Sequence, residues 1–179
     1  MIALLLKYMQ IAMMFPVLIA ALLSFSCTKD STSIEDSVNT DKTIAAPASL
    51  NKALMLQIVN DVRKEGCRCG DTYYNPVAAL TWNDQLEAAA YKHSEDMYKK
   101  DYFSHIAADG SNGGVRIQKE GYNWLTYGEN IAMGPKTERE VVNGWLKSPG
   151  HCKNIMNRNF KEMGVAKAGT YWTQEFAAK

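Results

Sequence analysis

Imidazole is the side chain best suited to moving a proton or holding a divalent ion near neutral pH, and this chain has three: His93, His105 and His151. Glu129 follows His105 by 24 residues, inside Tyr127-Gly128-Glu129-Asn130-Ile131, where a glycine, a carboxylate and an amide stand between apolar residues. A carboxylate beside an imidazole favours the imidazolium and fixes the ring. Two imidazoles, His105 and His151, with Glu129 would make three ligands, the minimum for a Zn²⁺ site with an open position. The same trio has the groups for base and orienter in a hydrolysis, but no nucleophile motif accompanies it: neither G-x-S-x-G nor H-E-x-x-H occurs. Ser104, next to His105, and Ser148, three residues before His151, are the nearest hydroxyls in sequence. His93 falls on an apolar helical stripe and is expected to be a satisfied core histidine. Asn130 suits an irregular strand start, where a side-chain amide pairs with backbone.

Helical periodicity places the elements that must carry these groups. Leu54, Ile58 and Val62 recur at i, i+4 and i+8 after Ser49, and Gly66 stops that helix. Asn83 caps a second helix with Leu86, Ala90, His93 and Met97 on one face. Residues 109–114, Asp-Gly-Ser-Asn-Gly-Gly, are a loop by composition, and a short helix from Val115 to Glu120 follows. They lack the repeated acidic positions of a calcium loop. Thr137 and Glu140 form a capping box opening a helix whose buried face is Val141, Val142, Trp145 and Leu146, ended by Pro149. Met163–Ala166 and Tyr171–Phe176 read as strands joined at Ala168-Gly169-Thr170, with Gly128–Ala132 as a third. Trp82, Trp145 and Trp172 are core candidates. Helices early and strands late predict an α+β fold.

Residues 1–26 read as a signal peptide: Lys7, then an apolar run from Tyr8 to Phe25 broken only by Gln10, Pro16 and Ser24. Pro16 and the run's length disfavour a stable spanning helix, which needs about 20 apolar residues. Cys27, directly after Ser26, resembles the acylated cysteine of a bacterial lipoprotein, so a lipid-anchored envelope protein is expected, with plain secretion the alternative. Residues 27–48 are polar and too poor in apolar groups to fold, a flexible tether. Residues 49–179 are enough for one domain. Twenty Lys and Arg against 19 Asp and Glu leave a net charge of +1, no signature of nucleic-acid binding.

Beyond Cys27 there are Cys67, Cys69 and Cys152, and export permits a disulfide. Cys152 is expected to bridge to Cys69 rather than Cys67, because Gly70 relaxes the backbone after Cys69; Cys67 stays open as the other partner. The loop closed would exceed 80 residues, about 4–5 kcal/mol in the chain-entropy model. A zinc site on Cys67 and Cys69 is the competing reading.

Four blocks in order, Phe103-Ser104-His105, Tyr127 to Ile131, Trp145 to His151 and Tyr171 to Phe176, resemble the CAP superfamily of cysteine-rich secretory proteins, antigen five and pathogenesis-related proteins. The resemblance runs from about Leu54 to Phe176. It implies a three-layer α-β-α sandwich with a small antiparallel sheet. It also implies a cleft of two histidines and two glutamates that in some members binds zinc or another divalent ion. His105 matches the first histidine and Glu129 the first glutamate. The second glutamate position is Ser148 and the second histidine position Tyr171, so half of the set is present. His151 in Ser148-Pro149-Gly150-His151 is typical of bacterial members. The ligand-binding set this implies is His105, Glu129, His151, Asn130, Ser148 and Tyr171, with His105 and His151 as the metal candidates. The function expected is a monomeric binding module for a lipid, peptide, glycan or envelope protein, with a hydrolase using His105 and Glu129 as the alternative.

Overall fold

Every residue of the strand Tyr171–Ala178 is buried, which means that both faces of the sheet are covered. In the computed structural model, which describes residues 50–179, this strand (β6) lies inside a four-stranded sheet. The apolar leader, Cys27 and the tether lie outside the described residues. The other strands are β3 (Thr81–Trp82), β4 (Thr126–Met133) and β5 (Glu162–Ala168), in the order β3-β5-β6-β4. β4 and β5 pair antiparallel with β6, and the two-residue β3 pairs parallel with β5. The sheet is therefore mixed at one edge rather than wholly antiparallel. β3, and the hairpin of β1 (Cys67–Cys69) and β2 (Thr72–Tyr74), are too short for periodicity to have revealed.

The helices form the outer layers. α2 (Asp84–Lys100) and α3 (Gly113–Lys119) cover one face, where Leu86, Ala89, Ile117 and Ala177 pack together. α1 (Lys52–Glu65), α4 (Glu138–Lys147) and α5 (Pro149–Ile155) cover the other, where Met55, Val59, Trp145, Ile155, Trp172 and Phe176 form the larger core. This is the expected α-β-α sandwich. Gly164 permits the close approach of α2 to β5: a Cβ there would stand 2.1 Å from the Glu87 backbone nitrogen.

Side-chain oxygens start the helices as the residue types suggest. Asn83 accepts from the Gln85 and Leu86 amides, and Thr137 from that of Glu140. The reciprocal Glu140 carboxylate reaches the Lys136 amide rather than that of Thr137. α3 begins two residues before Val115, capped by Asn112. In α1 the buried stripe is Met55, Val59 and Arg63, one position on from Leu54, Ile58 and Val62, which flank it half-buried. The reason is Arg63: its guanidinium donates to the carbonyls of Ala78, Ile155 and Asn157, and those bonds bring its face inward.

Candidate functional site

The pleat of β4 sorts the Gly-Glu-Asn block. Neighbouring residues on a strand point to opposite faces, so Glu129 faces the α2–α3 layer and Asn130 the α4–α5 layer. His105, in the loop between α2 and α3, shares a 2.6 Å hydrogen bond between its Nδ1 and Glu129 Oε1. The Glu129 side chain is only 6% exposed and that of His105 54%. Nδ1–H donates to the carboxylate, which leaves Nε2 on the exposed side of the ring.

Glu129 Oε2 is held from below. The Arg116 guanidinium, carried by α3, donates to it and also to the carbonyls of Ser111 and His105. His93 Nε2 lies 4.0 Å from the same oxygen and donates at 2.9 Å to the Ser104 carbonyl. That bond assigns the proton to Nε2. Burial lowers the His93 pKa, so the ring is neutral, and its bare Nδ1 is buried with no hydrogen-bond partner. Two helices, α2 and α3, and the loop between them therefore converge on a single carboxylate carried by β4.

The fifth member of this group is Glu175. It stands directly opposite Glu129 on β6 and is fully buried. Its Oε1 is 3.9 Å from Arg116. Like charges directly opposite on neighbouring strands repel. Neither Glu175 oxygen finds a donor, an arrangement that a proton on Glu175, donated to Glu129, resolves. Burial, then the Glu129 charge, pushes Glu175 well above the carboxylate range. Burial also acts to raise Glu129, but the bond from His105 and the Arg116 charge outweigh it, with the Glu175 hydrogen bond, and Glu129 titrates below its ordinary value. The cluster is a carboxylate, a carboxylic acid, a guanidinium, a neutral buried imidazole and an exposed imidazole.

The remaining candidates are spread over different places. His151 sits in the first turn of α5, and its pKa is lowered by burial and then by His105, so the two imidazoles are within electrostatic reach. Asn130 does not join His105 and Glu129: it is fully buried, and its amide donates to Gln174 Oε1 and the His151 carbonyl while its oxygen accepts from Asn154. It ties β4 to α5. Ser148 joins α4 to α5. Tyr171 is 6% exposed and donates to Asp101, with its ring beside Tyr98 and Phe103. Its hydroxyl is thereby committed away from Glu129.

The donor set does not fit a zinc ion as it stands. Both Glu129 oxygens are engaged, and among the described residues the one group of three candidate ligands with atoms mutually within 4.8 Å is Cys67, Cys69 and Cys152. Of these, Cys69 and Cys152 form the expected disulfide. A cavity of about 210 Å³ lies against the buried side of the network, lined by His93 and Arg116 but not by His105. The lysines around it are matched by carboxylates, Lys92 by Glu120 and Lys119 by Asp109.

Sequence reasoning missed Arg116 and Glu175 and assigned His93 to the core alone. Glu175 left a trace: a carboxylate inside Tyr-Trp-Thr-Gln-Glu-Phe-Ala-Ala, a run too apolar to have a solvent face. Arg116 left less, since a single arginine between Val115 and Ile117 is common on a helix.

Comparison with known proteins agrees with this architecture. The family model CAP: Cysteine-rich secretory protein family matches residues 56–176. Protein YkwD of Bacillus subtilis (strain 168) is 34% identical over 145 residues, 78% of this chain and 52% of that protein. Membrane protein YlbC of the same bacterium is 34% identical over 100 residues, 56% of this chain and 29% of YlbC. The chain thus spans about half or less of the length of these curated relatives. An extracellular protein containing an SCP domain from Bacillus anthracis str. Ames superposes with a TM-score of 0.64 at 30% identity, over 71% of this chain and 40% of that one. A cysteine-rich secretory protein from Staphylococcus aureus, with a TM-score of 0.58 at 19% identity over 84% and 44% of the two chains, shares the fold. Sheet order, layer arrangement and the family match lead to one assignment: the chain belongs to the CAP, or cysteine-rich secretory protein, family.

Proposed function

We propose that this chain is an exported CAP-domain module, tethered to the envelope through Cys27, that binds a ligand at the cleft headed by His105. The observation that carries the reading is the exposed His105 imidazole, held at 2.6 Å by a carboxylate that is itself buried and pinned by Arg116. Such a group is pre-organised, so a ligand binding to it does not have to freeze it. Export is supported by the apolar leader and by the printed description of the Bacillus anthracis relative as extracellular.

The rim favours a ligand with an apolar part. Phe103 and Ile106 flank His105 and are about half exposed. Phe103 and the exposed Tyr98 pack on Tyr171, which stands opposite the exposed Met133. Lipid and apolar peptide fit this shelf better than a glycan. Ser104 Oγ accepts from the Ile106 amide, so the hydroxyl beside His105 serves the loop. The hydrolase reading rests on the same His105–Glu129 pair, which orients an imidazole as a base would be oriented.

Fluorescence titration of the folded domain with a fluorescent fatty acid, a labelled apolar peptide and a labelled oligosaccharide tests the proposal. Saturable binding of one probe should weaken at least tenfold in His105→Ala and in Phe103→Ser, with near-ultraviolet dichroism unchanged. Binding that ignores both substitutions, or no saturable binding, would overturn it. Hydrolysis of an ester or peptide probe that His105→Ala abolishes would favour the enzyme instead.

A further inference from the structure

A groove of about 550 Å³ lies between β2 and α5, a size suited to a bound small molecule. One wall runs from Tyr73 to Val77 and the other from Lys153 to Asn159. Neither His105 nor Glu129 lines it.

Both walls are fixed. The Cys69–Cys152 disulfide ties β1, and through it the paired β2, to the first turn of α5. Arg63 is fully buried and donates to the Ala78 carbonyl, next to the first wall, and to the Ile155 and Asn157 carbonyls of the second. The Asn154 amide donates to the Glu129 carbonyl and to Asn130 Oδ1, which anchors the end of α5 on β4. Walls held in this way need little further ordering when a ligand enters.

The chemistry of the walls is aromatic, amide and cationic. Tyr73 is about half exposed, and its hydroxyl donates to the Glu65 carbonyl at 3.4 Å, which holds the ring in place. A tyrosine ring is an apolar body with a polar tip. It complements a pyranose, whose C–H groups gather on its faces and whose hydroxyls point outward. Asn75, Asn157 and Asn159 bring side-chain amides, which donate and accept as sugar hydroxyls do. The Asn157 oxygen accepts from the Asn159 backbone N–H, which leaves its own N–H groups for a ligand. Lys153 and Arg158 are exposed, and among the described residues neither has a carboxylate partner. No carboxylate lines the groove. The cavity beside His93 differs in this respect, because Lys92, Lys100 and Lys119 are each matched there by a carboxylate.

We propose that this groove binds an anionic oligosaccharide. A sugar ring stacks on Tyr73, its hydroxyls pair with the asparagine amides, and acidic groups on the chain reach Lys153 and Arg158. A neutral sugar forgoes the two cations, and a polyanion without rings forgoes the stacking. The site is separate from the His105 cleft, and the inference does not rest on what that cleft binds.

Isothermal titration of the full chain with a galacturonic acid oligomer, its uncharged methyl ester and polyglutamate tests this. The oligomer should bind saturably, and the ester and polyglutamate about tenfold more weakly or worse. Oligomer binding should weaken by a similar factor in Tyr73→Ala and in the double substitution Lys153→Gln with Arg158→Gln, all at exposed positions, and it should weaken as salt rises. No saturable binding of the oligomer, or equal binding of the ester or of polyglutamate, would overturn the proposal. So would binding that is lost in His105→Ala and kept in Tyr73→Ala, which would put the sugar in the other cleft.

Discussion

Arg116 holds the largest share of the site's order. It carries the positive charge against two carboxyl groups that are 6% and 0% exposed. Breaking a buried pair by removing one partner costs about 3–5 kcal/mol, because the charge left behind is uncompensated. Arg116→Met should therefore lose about that much stability in urea unfolding, and adding Glu129→Gln should restore part of it. A loss under 1 kcal/mol would mean that water already compensates the cluster. Glu175 acts with the opposite sign. Its pKa is raised in the folded state, so the stability linked to its proton is complete below the ordinary carboxylate pKa. It is lost as pH rises toward the folded value, at up to about 1.4 kcal/mol per pH unit. Glu129, with a lowered pKa, contributes stability that is lost as pH falls below the ordinary range. Glu175→Gln keeps a donor for Glu129 and removes the alkaline loss. Its melting temperature should exceed that of wild type at pH 8 and approach it near pH 4. Equal shifts at both pH values would show that Glu175 is not the protonated partner.

At the scale of elements, β4 and β6 bring the chemistry together and α2 closes it. α2 supplies His93 from its buried face and lies on β5 at Gly164, where its backbone leaves no room for a methyl group. Gly164→Ala forces the helix away from the sheet. Overpacking of this kind costs about 1–3 kcal/mol, and a displacement of α2 also moves His93 relative to Glu129. The expected result is a lower denaturation midpoint, together with weaker binding of whichever probe titrates the His105 cleft. Unchanged stability would show that α2 accommodates the methyl by a shift too small to matter. The helices were legible because Asn83, Thr137 and Gly66 are residue types with a local reason to stand where they do. β1–β2 and β3 were not, since strands of two or three residues have no period to read.

At the scale of the molecule, the proposed lipid anchor at Cys27 is open to a single substitution. Among the described residues no helix is long and apolar enough to cross a membrane. The proposed attachment is acylation of Cys27, which lies before Leu50. Cys27→Ser should abolish labelling by a fatty-acid analogue and move the protein to the soluble fraction. Equal labelling of the two proteins would remove the anchor from the account.

The contact of His105 with Glu129 was legible through the two blocks that resemble the CAP family, whereas Gly70 only favoured Cys69 over Cys67 as the partner of Cys152, and the packing of β1 against α5 made the choice. The separation of Glu129 from Asn130 onto opposite faces could not be read from the chain alone, because it needed the strand and its two covering layers. Nor could the partnership of Glu129 with Glu175, 46 residues apart in the chain, which exists through the register of β4 on β6. Arg116 and His93 acquire their roles in the same way, from an α3 that lies beside β4 and an α2 that lies over β6. Residue type and spacing determine which groups are present and which local elements carry them. Which charge faces which, and which carboxyl keeps its proton, depends on distances and burial that only the packed layers set.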